Sequence, residues 1–369
     1  MSTDLAVFAA TSGHSGVDRV LRNLVPAIAR LGLRVDVLGV EGHGPKFDLL
    51  PEGVRHLPLG ASHVNSAIPA LIRYLRREQP QALLCDKDRV NRAALIARSV
   101  ARVKTRVGVR LGTTVSVNLA SRGVFERFVQ RASMRWIYPA AEAVLVPSAG
   151  AADDLAAYAG LPRDRIHVVP SPIVTGQMRV KAQEPLDHPW FAEGQPPVVL
   201  GVGELSERKD FATLLRAFAR LRAATPCRLL ILGEGRRRGE LERLANELGV
   251  EDDFALPGFC PNPYPYMAHA AVFALASRWE GMPVVLIEAL ALGTPSVACD
   301  CPSGPREVLD GGRHGPLVPV GDVDALAQGL RRQFDVPTPP EQSRAAVQGY
   351  TDEGSARAYL AALGFREFQ

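Results

Sequence analysis

Short apolar runs alternate with longer amphipathic stretches along the first half of the chain. The apolar runs predict strands at residues 5–9, 35–40, 82–85, 107–109, 143–146 and 166–169. The amphipathic stretches predict helices at residues 17–31, 67–77, 89–102, 123–137 and 150–159. Alternation of strands and helices is typical of a parallel sheet covered by helices on both faces.

The second half repeats this pattern after an interruption. Residues 176–197 carry Pro185, Pro189, Gly194 and the pair Pro196-Pro197, which is typical of a connection between domains. Strands are then predicted at residues 198–202, 228–232, 254–256, 272–275 and 296–298. Helices are predicted at residues 211–223, 239–248, 263–269, 284–292 and 323–334. The sequence thus predicts an α/β protein with two Rossmann-like parallel-sheet domains facing across a cleft.

Two carboxylates bracket the most informative segment of the chain. Glu280 precedes a Gly-x-Pro turn, and Glu288 lies within the apolar run that the turn opens. Pro283 suits the first position of a helix, and Gly293 suits its end. The helix start would offer backbone N–H groups and a positive dipole end to an anion such as a phosphate. A buried helix that carries an incidental glutamate is the alternative interpretation.

The same segment resembles the Glu-x7-Glu motif of the retaining glycosyltransferases of family four, which have the GT-B fold. Three further blocks are similar to that family and follow in the family's order, at residues 201–211, 256–264 and 300–322. The similarity is strong over residues 198–322 and looser over residues 1–175. It implies an acceptor domain at 1–175, a linker at 176–197, a nucleotide-sugar domain at 198–350 and a last helix at 351–369 that crosses back to the first domain.

The resemblance also implies roles for individual residues. Lys209 takes the place of the family's diphosphate-binding lysine, Arg208 supports it as a second catalytic cation, and Glu280 approaches the hydroxyls of the transferred sugar. Glu288 would hold the ribose. The remaining implied contacts with the sugar donor are Gly16, Gly258, Phe259, Gly281, Met282, Pro283 and Val284, and those with the acceptor are His14, Arg110 and Thr113.

Three positions depart from the family pattern or allow a second interpretation. Glu204 stands where the family usually has an arginine, and a carboxylate cannot stabilise a leaving diphosphate. The segment 110–114 lacks the histidine that many members have there, so a dedicated base is not assigned. Glu307 suits a loop-holding role as well as a role in the site.

Charge, cysteine content and the N-terminal sequence indicate the expected cellular location and cofactor content of the protein. Residues 1–175 hold 23 Lys and Arg against 14 Asp and Glu, a net +9, and the rest holds 20 against 25, a net −5. The five cysteines lack the spacing of a zinc site or a disulfide framework. The N-terminus predicts a strand and not a signal peptide, and no apolar run is long enough to span a membrane. We expect a cytoplasmic protein without a metal or other cofactor.

One predicted helix, at residues 123–137, is basic. Arg127, Arg131 and Arg135 recur every four residues, with large apolar side chains opposite them. The pattern favours packing of the apolar face in the core, and contact of the arginines with an anionic membrane is the alternative. No stripe of basic and aromatic residues indicates a nucleic-acid partner.

The resemblance implies a retaining, metal-independent transfer of a hexose or N-acetylhexosamine from a UDP-sugar to a glycan or lipid-linked acceptor, in cell-surface polysaccharide synthesis. Such an enzyme would be cytoplasmic and could work at the inner face of the membrane. The alternatives are a GT-B nucleotide-sugar epimerase and a sugar-nucleotide-binding protein without catalysis. A Rossmann oxidoreductase is disfavoured, because no correctly spaced Gly-x-Gly-x-x-Gly occurs.

Overall fold

The computed structural model describes residues 3–11, 16–47, 49–120 and 122–368. The chain divides into two compact units. Unit 1 comprises Met1–Ile173 together with Tyr350–Gln369, and unit 2 comprises Val174–Gly349. Each unit has its own parallel sheet and its own buried core.

Seven parallel strands form the sheet of unit 1, in the order β3-β2-β1-β4-β5-β6-β7. These strands are β1 Leu5–Ala9, β2 Val35–Gly39, β3 Val54–Pro58, β4 Ala82–Asp86, β5 Arg106–Arg110, β6 Ala143–Val146 and β7 Ile166–Val168. The central strands are buried along their whole length, because helices cover both faces of a parallel sheet. The order reverses between β1 and β4, which is the arrangement of a Rossmann-like domain.

The helices of unit 1 follow the predicted positions within two residues where they were predicted. They are α1 Gly16–Arg30, α2 Ile68–Glu78, α3 Asp88–Ala101, α4 Val115–Leu119, α5 Val124–Ile137 and α6 Ala149–Ala159. The short helix α4 and the strand β3 were not predicted. β3 is an edge strand whose middle residues are exposed, so it lacks the continuous apolar run by which the other strands were found.

Unit 2 contains six parallel strands in the order β10-β9-β8-β11-β12-β13. They are β8 Val198–Val202, β9 Arg228–Leu232, β10 Phe254–Gly258, β11 Val272–Leu275, β12 Ser296–Cys299 and the short β13 Leu317–Val318. Its helices are α7 Gly176–Ala182, α8 Phe211–Arg222, α9 Arg238–Leu248, α10 Tyr264–His269, α11 Val284–Leu292, α12 Pro305–Val308, α13 Val323–Asp335 and α14 Pro340–Ala345. The segment expected to be a plain linker therefore begins with a helix, α7.

The final helix, α15 Asp352–Ala362, belongs to unit 1 and packs on α1. Its residues Tyr359 and Leu360 are buried in one apolar cluster with Leu21 and Leu24 of α1. The unit 1 core is therefore built from both ends of the chain.

All five cysteines are free thiols, and four of them are buried. Among the described residues, no group of three or more His, Cys, Asp or Glu side chains is arranged to hold a metal ion. No helix in that part of the chain is both long enough and apolar enough to cross a membrane.

Candidate functional site

The site begins at the carboxyl end of β8, where the chain turns into the loop that leads to α8. Gly203 has φ +153°, and a Cβ atom there would lie 2.8 Å from Cε of Lys209. A Cβ on Gly233, in the loop after β9, would clash with the carbonyl oxygen of Gly203. Glycine at both positions therefore lets the two loops cross closely and leaves room for the lysine side chain.

Asp210 fixes the end of this loop directly before α8. It adopts a left-handed conformation with φ +46°, which is uncommon outside glycine. Thr213 donates a hydrogen bond to Oδ2 of Asp210 at 2.9 Å, and Nε of Arg278 lies 3.0 Å from the same carboxylate. The backbone N–H of Arg278 donates to the carbonyl of Arg208 at 2.8 Å. These contacts tie the β8–α8 loop to the loop after β11.

That connection brings together the three residues predicted to be catalytic. Nζ of Lys209 donates to Oε1 of Glu280 at 2.7 Å, and Nη1 of Arg208 donates to Oε2 at 2.7 Å. The hydroxyl of Ser277 donates to Oε1 of Glu280 at 2.7 Å. One carboxylate thus holds two cations in place. Sequence reasoning missed Ser277, although its position three residues before Glu280 in a loop was a usable signal.

Burial shapes the electrostatics of this cluster. Lys209 is 6% exposed, and burial lowers the pKa of its ammonium. The Glu280 carboxylate opposes this shift, whereas the neighbouring Arg208 adds to the lowering of the Lys209 pKa. Two cations against one carboxylate leave an excess of one positive charge when both cations are protonated. Such a cluster attracts an anionic ligand.

The helix α11 matches the predicted range of 284–292, but Pro283 does not take the first helical position as expected. The helix begins at Val284, and Pro283 precedes it with a non-helical ψ of 72°. The backbone N–H of Val284 donates to the carbonyl of Met282 at 2.9 Å, so the turn itself uses a donor that was expected to face a ligand. The predicted end is confirmed, since Gly293 adopts φ +89° after Leu292.

Glu288 lies on α11 with only 1% of its surface exposed. The hydroxyl of Tyr264, at the start of α10, donates to Oε1 of Glu288 at 3.0 Å. A buried carboxylate requires such partners. Sequence reasoning placed Tyr264 in the second block without giving it this role.

The two neighbouring residues predicted to face the nucleobase differ in exposure: Gly258 is buried and Phe259 is exposed. Gly258 has φ +98°, and its carbonyl accepts a hydrogen bond from the N–H of Gly233 at 2.8 Å. The carbonyl of Gly258 therefore holds the loop after β9 against the end of β10. Phe259 is 76% exposed and presents its ring to solvent.

The fourth sequence block supports the turn before α11. Gly304 has φ +97°, and a Cβ there would lie 2.5 Å from Cδ of Pro283. The hydroxyl of Ser303 donates to the carbonyl of Gly281 at 3.3 Å. The Ser-Gly pair therefore positions the turn, and Glu307 is exposed nearby on α12. All four sequence blocks are joined within unit 2 by these contacts.

Within the described part of unit 1, the predicted site residues are not brought together by contacts of the kind seen in unit 2. His14 lies outside the described residues, and Gly16 is the first residue of α1. Thr113 is exposed in the loop between β5 and α4. Their proposed contacts with ligands remain predictions.

Arg110 lies in the interior of unit 1 instead of at a surface open to an acceptor. Its guanidinium pairs with Asp86, Nε donates to the hydroxyl of Tyr359 at 2.7 Å, and Nη2 donates to Ser171 at 3.2 Å. The side chain is buried, as are these partners. This arrangement gives Arg110 a structural role that joins β4, β5 and α15, and its contact with the acceptor stays a prediction.

Comparison with known proteins identifies the class. Residues 196–335 match the family model for glycosyl transferases group 1, and residues 15–172 match the model for the glycosyl transferase 4-like domain. The chain is 35% identical, over 90% of its own length and 90% of the relative's, to the N-acetylgalactosamine-N,N'-diacetylbacillosaminyl-diphospho-undecaprenol 4-alpha-N-acetylgalactosaminyltransferase of Campylobacter jejuni. It is 33% identical to a lipopolysaccharide core biosynthesis glycosyltransferase of Rhizobium meliloti over 45% of this chain and 47% of that protein.

Solved structures agree in fold. Anabaena HepE in complex with UDP superposes with a TM-score of 0.78 at 17% identity, covering 98% of this chain and all of that one. The lipopolysaccharide outer core galactosyltransferase WaaB superposes with a TM-score of 0.76 at 18% identity, covering 98% of this chain and 99% of that one. The predicted GT-B fold, with two Rossmann-like parallel sheets, is confirmed. The chain belongs to the GT-B glycosyltransferases and is an enzyme of that class.

Proposed function

We propose that this enzyme is a retaining, metal-independent glycosyltransferase that moves a hexose or N-acetylhexosamine from a UDP-sugar to a glycan or lipid-linked acceptor. Its place would be in the synthesis of cell-surface polysaccharide. The observation that carries the proposal is the buried ammonium of Lys209, held beside the Arg208 guanidinium by the carboxylate of Glu280. This cluster provides fixed positive charge for a diphosphate leaving group.

The chemistry needs that charge because negative charge develops on the diphosphate when the bond to the anomeric carbon breaks. Groups fixed before the reaction stabilise such charge without reorganising at the transition state. Glu280 supplies the fixation, since each of its oxygens accepts from one of the two cations at 2.7 Å. In the retaining course implied by the family resemblance, the acceptor hydroxyl attacks from the same face and the leaving phosphate accepts its proton.

Contacts around α11 would hold the rest of the sugar donor. Glu288 would accept hydrogen bonds from the ribose hydroxyls, with its carboxylate positioned by Tyr264. Gly281, Met282 and Val284 are partly exposed at the start of the same helix, where the dipole favours a phosphate. The complex of HepE with UDP supports a uracil nucleotide at a fold of this type.

The acceptor is inferred from the relatives. The Campylobacter jejuni protein is named for a diphospho-undecaprenol acceptor that carries a sugar, and for transfer of N-acetylgalactosamine in an α linkage. The identity of 35% over 90% of both chains supports an acceptor of the same chemical class, a polyprenyl-diphosphate-linked sugar. UDP-N-acetylhexosamines are the first donors to test.

A donor panel tests the proposal. The purified enzyme would be given UDP-, GDP- and ADP-linked hexoses and N-acetylhexosamines together with a polyprenyl-diphosphate-linked sugar. We expect release of UDP that depends on both substrates, persists in EDTA, and yields a product whose anomeric configuration by NMR equals that of the donor. Loss of turnover in EDTA would refute metal independence, and an inverted anomer would refute retention.

The same panel separates the alternatives. A GT-B epimerase would convert the sugar donor without any acceptor, which a reaction without acceptor detects by chromatography of the nucleotide sugar. A binding protein without catalysis would retain the donor and release no UDP. Either result would replace the proposed function.

A further inference from the structure

The helix α5 exposes large apolar side chains that its amphipathic pattern was expected to bury. The exposed fractions are 82% for Val124, 80% for Phe125, 67% for Phe128, 38% for Val129 and 76% for Trp136. The expectation that this apolar face packs in the core is therefore wrong. Contiguous exposed apolar surface on a soluble protein usually marks an interaction site.

Helix geometry gathers these side chains into one strip. Val124 and Phe128 are four residues apart and lie in one row, and Phe125, Val129 and Trp136 form the adjacent row. The buried side chain of Met134, with half-buried Ile137, lies on the far side of the helix and anchors it to the unit 1 core. The helix thus has one face toward its own core and a second apolar face toward solvent.

Arginines border the exposed strip. Arg127, Arg131 and Arg135 form a third row beside Val124 and Phe128, and all three are exposed. Glu126 is the one acidic residue of the helix. The guanidinium of Arg135 lies 5.7 Å from the centre of the Trp136 ring, in cation–π contact. Positive charge next to exposed aromatic rings is the composition of a helix that lies in a membrane interface.

We propose that α5 inserts Phe125, Phe128 and Trp136 into an anionic lipid bilayer, while Arg127, Arg131 and Arg135 contact the lipid headgroups. The apolar side chains provide most of the binding energy, and the arginines provide the preference for anionic lipid. This extends the earlier alternative, in which the arginines alone touched lipid. This membrane contact deepens the proposed function and rests on it, because a lipid-linked acceptor would be presented to the enzyme at the bilayer surface.

The charges favour a bilayer over a second copy of the chain as the occupant of this face. When two copies pair this strip with their helices antiparallel about a two-fold axis, the arginine rows of the two copies lie on the same side of the contact and near one another. Like charges at such short range oppose association. An anionic bilayer, in contrast, complements the arginines and the apolar strip together.

The test is co-sedimentation of the full chain with phosphatidylcholine vesicles, with and without about one third phosphatidylglycerol. We expect binding to the anionic vesicles and a loss of at least about tenfold in partitioning for the Phe125→Ser/Phe128→Ser variant, because each phenylalanine buries its ring in lipid. Val336→Ser is the matched control, since Val336 is 73% exposed in unit 2 and lies outside the strip. The variant Arg127→Gln/Arg131→Gln/Arg135→Gln should bind both vesicle types equally.

Thermal melts and two turnover assays distinguish an effect on membrane binding from an effect on folding or catalysis. Because the substituted side chains are exposed, their replacement should not change the stability of the fold, and thermal melts of the variants should match the parent protein. Turnover of a water-soluble acceptor analogue should be unchanged in Phe125→Ser/Phe128→Ser, and turnover of a vesicle-embedded acceptor should fall. Failure of the proposed function would abolish both activities and leave vesicle binding intact.

Two outcomes would overturn the inference. One is equal vesicle binding by the parent protein and the Phe125→Ser/Phe128→Ser variant. The other is a parent protein that ignores vesicles and sediments as a dimer, with the same variant sedimenting as a monomer, which would assign the strip to a second copy of the chain.

Discussion

Nζ of Lys209 and Oε1 of Glu280 form a 2.7 Å ion pair between two loops of unit 2, although 71 residues separate them in the chain. The pair joins the loop after β8 to the loop after β11. Because Arg208 binds the other oxygen of the same carboxylate, Glu280 sets the position of both cations. The relationship gives the acidic residue a positioning role in addition to its proposed contact with the sugar.

Replacing Lys209 tests the cation directly. Lys209→Met should lower kcat by about 10²–10³, the usual cost of removing one fixed group that stabilises developing negative charge. Lys181→Met, at an exposed lysine of α7, is the matched control and should leave kcat unchanged. Steady-state kinetics with the best donor of the panel measures both. Equal kcat in Lys209→Met and the parent enzyme would remove Lys209 from the mechanism.

The pH profile should carry a signature of the same lysine. Burial lowers the pKa of Lys209, so its positive charge should be lost below the value of about 10.4 for a free lysine. We expect kcat/KM to fall on the alkaline side at that lowered pKa. Between the lowered and the free value the unfolded chain binds the extra proton, so this group makes folding more favourable as pH rises.

The fall in rate therefore should not come from unfolding. Circular dichroism across the same pH range provides the control. In Lys209→Arg the alkaline limb should move to higher pH, because a guanidinium stays charged. An unmoved limb in an active Lys209→Arg variant would assign the titration to another group.

Glu288 and Tyr264 should act on donor binding. Glu288→Ala should weaken binding of UDP by about ten- to a hundredfold with a smaller change in kcat, because the ribose contact exists before the transition state. Tyr264→Phe should weaken it by about tenfold or less, since it removes the hydrogen bond to Glu288 and leaves the carboxylate in place. Isothermal titration with UDP measures both effects. Tyr266→Phe, in the same helix, should bind UDP normally, and equal losses in both tyrosine variants would contradict the assignment.

Gly304 should be required for the turn before α11. Alanine there would be strained by the positive φ and would also press on Cδ of Pro283, 2.5 Å away. Gly312→Ala is a matched control, because Gly312 has φ +104° and nothing within 4 Å of the added Cβ. Both variants should lose about 1–2 kcal/mol of stability from backbone strain. Gly304→Ala should lose about 1–3 kcal/mol more from overpacking.

Urea unfolding and the KM for the sugar donor measure these effects. The KM should rise in Gly304→Ala alone, since its contact displaces the turn. A Gly312→Ala variant with the same KM change would show that the effect does not come from Pro283.

The interior pair of Arg110 and Tyr359 should stabilise unit 1. Tyr359→Phe would leave Nε of the buried arginine without its 2.7 Å partner, which should cost about 1–3 kcal/mol. Hydrogen exchange of the strands β4 and β5 measures the loss within that unit. Tyr158→Phe, whose hydroxyl donates to a carbonyl at the surface at 3.3 Å, should change little. Unchanged exchange in Tyr359→Phe would mean that the hydrogen bond between Arg110 and Tyr359 does not stabilise unit 1.

The strands of the sheets were the most predictable part of the molecule. β8 and β11 match their predicted bounds, because strands buried on both faces need continuous apolar runs. β3 was not predicted because it lacks a continuous apolar run. Its residue Arg55 is half exposed and pairs with the buried carboxylate of Asp36 on β2, so the strand is held partly by an ion pair that no apolar pattern reveals.

The residues of the Lys209 and Glu280 cluster could be named from the sequence, and their roles in a site stay predictions. Their contacts were harder to predict. Spacing along the chain placed Glu280 and Glu288, but Ser277 and Tyr264 became visible as partners only when loops from different strands met. The ion pair of Arg110 was not predicted, because its neighbour in space, Asp86, lies on another strand. The register pairs these two residues directly, at the carboxyl ends of adjacent strands, and a correct alignment of β4 with β5 would have indicated the ion pair.

The exposed face of α5 could not be predicted from periodicity. An amphipathic pattern states that a helix has an apolar side, and it does not state whether protein or lipid covers that side. Two apolar surfaces on one short helix, one around Met134 and one around Phe128, are distinguished only by burial.

Unit 2 is inserted into unit 1, since the chain leaves unit 1 after Ile173 and returns at Tyr350. The backbone N–H of Ile173 donates to the carbonyl of Tyr350 at 3.0 Å, so the exit and the return are fastened to each other. During synthesis on a ribosome, every strand of both sheets emerges before α15 does. The first strands of unit 1 are thus made before unit 2, and the unit 1 core that includes Tyr359 is completed only after all of unit 2 has been synthesised.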